Sequence, residues 1–218
     1  EFLSRIPNTL LLGIMSNAFV IVFGIPLGVI AAVKQNSKLD YFTLIVAMFL
    51  SSMPAFWFGL MAQILFCLTL GWFPATGAET LKNFILPSIT LACASFAGIV
   101  RLTRTSILEV NKLDYVRTAR SKGCSEFRIV IKHVLRNGLL PVITTIGSYI
   151  ATIVGGAIVT ESVFAIPGVA SLMINAVKLR DVPVVMGIIV IISVFVGVVN
   201  LLVDLTYAVI DPRVKLNG

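Results

Sequence analysis

The chain has 218 residues, of which 58% are hydrophobic and 12% charged, with a formal net charge of +7 and a mean hydropathy of +1.02. Soluble domains carry about 25% charged residues, so half that value in long uncharged runs excludes an ordinary water-soluble domain and makes lipid the main solvent. The excess of Lys and Arg is then a topology signal, not a nucleic-acid footprint.

Five apolar stretches are long enough to cross about 30 Å of hydrocarbon as helices. They cover about 9–33, 41–70, 84–105, 138–164 and 183–210. Their continuous apolarity lacks the alternation of a barrel strand, so the fold class is an all-α polytopic membrane protein. Gly24, Pro26, Gly28, Pro54, Gly59, Gly147, Gly155 and Gly156 lie inside the spans. Close helix packing explains most small residues; Pro54 in "SSMPAFWFG" also predicts a kink. Between the second and third spans, Trp72 and Phe73 suit an interface belt.

Orientation follows from the basic residues. Thirteen of the 17 Lys and Arg fall in one set of connections and four, namely Arg5, Lys82, Lys178 and Arg180, in the other. The richer set is cytoplasmic. Residues 1–8 then form an outer segment, about 106–137 a cytoplasmic loop and 211–218 a cytoplasmic tail. An outer N-terminus without a signal segment leads to the expectation of one earlier span, six in the full protein.

The cytoplasmic loop contains "DYVRTARSKGCSEFRIVIKHVLRNG", with six basic residues and His133, the only histidine. Gly123 divides it. Asp114 is the expected N-cap of a first helix, and Gly123 the left-handed residue that ends it. Ser125 is placed to cap a second helix, with Glu126 at its positive end. Phe127, Val130, Ile131, Val134 and Leu135 form an apolar stripe at helical spacing. Arg128, Lys132 and Arg136 follow one another at i+4. Such a hairpin lies on anionic lipid, joins two spans, or docks a partner; its length favours docking.

Beyond the fourth span, Pro167 and Gly168 break the chain sharply. The stretch 169–179 is too short to span and suits a short helix at the outer surface. It is either a gate over a pathway or a plain loop helix. Two acids lie in or near the spans. Glu161 reads as interfacial. Asp204 reads as a contact to Asn200 or to the Arg101/Arg104 region in preference to a proton relay. Cys67, Cys93 and Cys124 have no C-x-x-C spacing, so neither a disulfide framework nor a zinc site is supported. No phosphate-cradling G-x-x-x-x-G-K-[ST] is present, and no catalytic constellation is found.

The flanks of the basic loop carry a resemblance. "DYVRTARSKG", "KHVLRNGLLPVIT", "TESVFAIPGVASLM", "RDVPVVMGIIV", "LLVDLTYAVIDPR" and the outer "GWFPATG" resemble the dipeptide/oligopeptide/nickel subclass of importer permeases of the ATP-binding-cassette (ABC) class. Of that class's general loop pattern, only Ala119, Gly123 and Leu135 match, and Arg136 stands where the pattern has proline; Pro141 follows it. The resemblance implies the type I ABC importer permease fold with a cytoplasmic coupling helix, and an additional first span before "IPNTLLLG". It implies a non-catalytic permease of an ATP-driven importer for di- or oligopeptides, with nickel or a metal chelate as the alternative cargo. An ion-coupled secondary transporter is the rival of another class. The implied partners are a second homologous permease, two ATPase subunits that hold ATP and Mg, and an extracytoplasmic substrate-binding protein. No cofactor is expected in this chain and no nucleic acid. The implied location is a prokaryotic plasma (inner) membrane. By the same resemblance Arg117, Thr118, Ala119, Gly123, Ser125 and Glu126 lie at or near the ATPase contact, while Pro167 and Gly168 are candidates for an outer gate.

Overall fold

The computed structural model describes residues 1–210, without the side chains of 150–156, 204 and 206–210. The described residues are helical, with no strand among them. The first helix, α1, runs Phe2–Val33. Pro26 has no N–H to donate, and a π-helical turn over Val20–Gly24 lies just before it. After Asn36, at φ +61°, Ser37 caps α2, Lys38–Ser52, by accepting from the Asp40 N–H at 3.3 Å.

Helix α3, Ala55–Thr69, leaves α2 at 97°. Met53, the residue before Pro54, is extended with ψ 133°, as the proline ring requires. The kink expected at Pro54 is therefore close to a right angle. Ser51 stitches this corner to the next helix. Its Oγ donates to the Cys93 carbonyl at 2.6 Å and accepts from the Ala97 N–H at 3.1 Å, inserting into that helix's own ladder.

Helix α4, Lys82–Asn111, is the axle of the fold. In its most apolar stretch 67% of the residues are buried, and α1, α2, α3 and the later α7 pack around it. The contact with α1 is close at Gly28, where a Cβ would meet Thr103 Cβ at 2.6 Å and the Val100 carbonyl at 2.8 Å. Close helix packing thus accounts for this glycine. Two short helices follow, α5 over Asp114–Ser121 and α6 over Glu126–Gly138, the latter containing a π-helical turn at Val130–Val134. Helix α7, Leu140–Gly156, continues from α6 with a 47° bend. Helix α8 covers Ile158–Val163 and α9 Val169–Lys178.

The last helix, α10, is Val182–Ile210. Only 6% of its most apolar stretch is buried, and Met186, Val190, Val194 and Leu201 are exposed. Such a surface needs lipid or another apolar chain against it. By length and composition α1, α4 and α10 can each cross a membrane unaided, and the bent pairs α2–α3 and α6–α7 bring the number to five if each is one span. The C-terminal tail, 211–218, with Arg213 and Lys215, lies outside the described residues.

Candidate functional site: a clamped basic hairpin and a buried carboxyl knot

The basic hairpin is built from α5 and α6. Its turn is set by Gly123, at φ +77°. The Cys124 N–H donates to the Ala119 carbonyl at 3.2 Å and the Gly123 N–H to the Arg120 carbonyl at 2.9 Å. This pair of bonds satisfies the free carbonyls at the end of α5 and requires a residue with positive φ. No atom would meet a Cβ at Gly123 within 4 Å. The turn is a free pole.

The base of the hairpin is not free. Val116, Ala119, Ile129 and Val134 are buried together against Ala32 at the end of α1 and Ile107 near the end of α4. A Cβ on Gly138 would meet Ile107 Cδ1 at 2.8 Å, so α6 presses on α4 as well. Tyr115 joins the two arms, its hydroxyl accepting from Asn137 Nδ2 at 2.9 Å. Arg120 ties its own helix to two other elements. It donates to both oxygens of Glu126, at 2.8 and 3.2 Å, and to Asn111 Oδ1 at 2.7 Å. The guanidinium holds the Glu126 carboxyl below its ordinary pKa. Sequence pattern gave no reason to single out Arg120, because its partners lie on two other elements.

Several expected details shift. The N-cap of α5 is Leu113, and Asp114 is the first helical residue. Ser125 does occupy the N-cap of α6, without a side-chain capping bond. The expected stripe is split. Ile129 and Val134 are buried, while Phe127 is 78% and Ile131 51% exposed. The π-helical turn explains this, since residues five apart, not four, come into line across it. Of the six residues expected near a partner, Arg117, Thr118, Gly123, Ser125 and Glu126 are exposed and Ala119 faces the inner core.

A second charged contact stands beside the hairpin. Arg104 of α4 donates from Nε and Nη2 to the two oxygens of Asp40, both at 2.7 Å. The Asn36 N–H adds a third bond at 2.9 Å. The Asp40 side chain is fully buried and that of Arg104 is 21% exposed. Asp204, expected to contact Asn200 or the Arg101/Arg104 region, has its side chain outside the described residues; the observed partner of Arg104 is Asp40.

At the far end of α1 lies a polar knot. Glu161 of α8, expected at the interface, is fully buried. Thr9 Oγ1 donates to Glu161 Oε1 at 2.6 Å, and the Ser171 N–H donates to Oε2 at 2.8 Å. Thr9 Oγ1 in turn accepts from the Val169 N–H at 2.9 Å. The first N–H groups of α9, left open by the helix, are thereby satisfied. Asn8 Nδ2 donates to the Pro167 carbonyl at 3.0 Å. A Cβ on Gly168 would collide with the Glu161 carboxyl, so a side chain there displaces that carboxyl from the knot. Below it Val169, Leu172 and Ile188 form an apolar anchor with Phe2, Ile6 and Phe195. Among the described residues no group of three or more His, Cys, Asp or Glu is placed to hold a metal ion.

Known proteins are similar to this chain in sequence and in fold. Residues 24–216 match the family described as binding-protein-dependent transport system inner membrane component. The chain is 42% identical to the oligopeptide transport system permease protein AppB of Bacillus subtilis (strain 168), over 98% of this chain and 71% of that protein. It is 47% identical to a putative peptide permease protein of Brucella suis biovar 1, over 98% and 70%. It is 41% identical to the glutathione transport system permease protein GsiC of Escherichia coli (strain K12), over 99% and 70%. In fold it is similar to a structure of the inward-facing MetNI methionine ABC transporter, with a TM-score of 0.82 at 18% identity over 96% of each chain.

Proposed function

The chain belongs to the family of binding-protein-dependent transport system inner membrane components, and from that premise we propose how it works and what it carries. It is a membrane permease subunit of an ABC importer, a transport component and not an enzyme. The cargo we assign is a di- or oligopeptide, on the strength of relatives named for oligopeptide and peptide transport. The setting is a prokaryotic inner membrane, with the basic hairpin on the cytoplasmic side. The partners are a second permease, two ATPase subunits below and a substrate-binding protein outside.

One observation carries the mechanism: the pole at Gly123 is open, while the base of the same hairpin is packed on α1 and α4. A partner that seats the pole can push without the hairpin folding away. The ATPase pair supplies that push on closing. Arg117, Thr118, Ser125 and Glu126 flank the pole and form the rest of the contact, and Ala119 supports it from inside. The buried side chains Val116, Ile129 and Val134 pass the displacement to Ala32 and Ile107. The Asp40–Arg104 pair takes it on to α2. The spans then alternate between inward and outward access, and Pro167, Gly168 and α9 close the outer side.

The test is uptake by proteoliposomes holding this permease, its partner permease and the ATPase subunits, with the binding protein outside. Radiolabelled peptide should accumulate only with internal ATP and with every subunit present. Uptake driven by an ion gradient in vesicles without the ATPase would overturn the assignment.

A further inference from the structure

The knot around Glu161 goes beyond that reading, on which it rests for the role of α9 as an outer gate. Two separate devices hold α9. The apolar anchor of Val169, Leu172 and Ile188 sets its depth. The knot sets its direction, because Thr9 and Glu161 hold the N–H groups of Val169 and Ser171 at its first turn. Burial alone does not require a carboxyl group here. A fully buried acid is tolerated only where its oxygens are satisfied, and both oxygens of Glu161 accept bonds.

What the knot joins is informative. Thr9 lies on α1, and the other end of α1, at Ala32, is packed into the base of the basic hairpin. Thr9 and Ala32 are about 35 Å apart along one helix. We infer that Glu161 is a positioning residue for transport: its carboxyl group locks α9 to α1, so that the outer gate travels with the helix that carries the hairpin. The opening of the outer mouth and the push on the hairpin are thereby parts of one rigid body. Gly168 belongs to this device, since a side chain there would displace the carboxyl group.

The experiment uses the reconstituted complex with all partner subunits. It reads peptide transported per ATP hydrolysed, and the passive leak of a small fluorescent dye without ATP. Thr9→Val keeps size and removes the bridging hydroxyl; Thr9→Ser keeps the hydroxyl. Thr9→Val and Glu161→Gln are expected to lower transport per ATP about tenfold and to raise the leak, the loss of one hydrogen bond being of that order. Thr9→Ser should restore both. If Glu161→Gln fails to assemble, the Thr9 pair decides. Wild-type coupling and leak in an assembled Thr9→Val complex would overturn the lock. The double variant Val169→Ala, Leu172→Ala separates the two claims. If it leaks while Thr9→Val does not, the gate stands and the lock falls. If it does not leak either, α9 is not the gate.

Discussion

Gly123→Asp should abolish substrate-stimulated ATP hydrolysis in the assembled importer while the permease still inserts and pairs. Gly123 stands at φ +77° in the two-bond turn that ends α5. A side chain there costs about 1–2 kcal/mol of backbone strain, and nothing lies within 4 Å to clash with it. Folding should therefore survive. The pole, however, would gain a carboxylate and change its shape at the contact proposed above for the ATPase. Gly123→Asn separates the two effects, because asparagine tolerates the left-handed conformation. It should fold as well as the natural chain and still reduce coupling, by roughly tenfold, which corresponds to about 1.4 kcal/mol at the contact. The measurement is the ratio of substrate-stimulated to basal ATPase in proteoliposomes. A natural ratio in both variants means the pole touches nothing that matters.

Asp40→Ala should be the most destabilising change at the basic end. The carboxylate is fully buried and takes both guanidinium bonds of Arg104 at 2.7 Å together with the Asn36 N–H. Removing it leaves a mostly buried cation without its partner, a loss of about 3 kcal/mol. For a domain of this size that is a fall in Tm of roughly 6–12 °C. Arg104→Met in the same chain should recover most of the loss, since the pair contributes little beyond what a well-packed apolar contact would. Thermal unfolding of the purified, detergent-solubilised protein reads both. An unchanged Tm in Asp40→Ala would show that the pair does not hold α2 to α4.

The apolar runs announced the helices, and their lengths announced the spans, because lipid leaves the backbone little else to adopt. The turn at Gly123 was also legible, since a glycine between two helix-forming segments has one common use. Three features were not. The face of α6 is one, because a π-helical turn at Val130–Val134 leaves no mark in the spacing; it brings Val134 into line with buried Ile129 and away from exposed Phe127 and Ile131. Nothing in the local sequence points from Arg104 to Asp40, its partner 64 residues away at the start of α2. Glu161 looked like an interfacial acid by its position in the chain. Its burial depends on Thr9 and on the first turn of α9, two elements that the local sequence does not bring together. In the last two cases the missing information is tertiary: which helix lies opposite.

A basic amphipathic hairpin can rest on anionic lipid or dock on a protein, and Phe127 and Ile131, exposed among Arg128 and Lys132, would suit either. The direct test places a photo-crosslinking amino acid at Lys122, exposed beside the pole, in the complete importer in membrane vesicles. The predicted result is a covalent adduct with the ATPase subunit, with a yield that changes when ATP is added. Adducts with lipid alone, unchanged by ATP, would contradict the account.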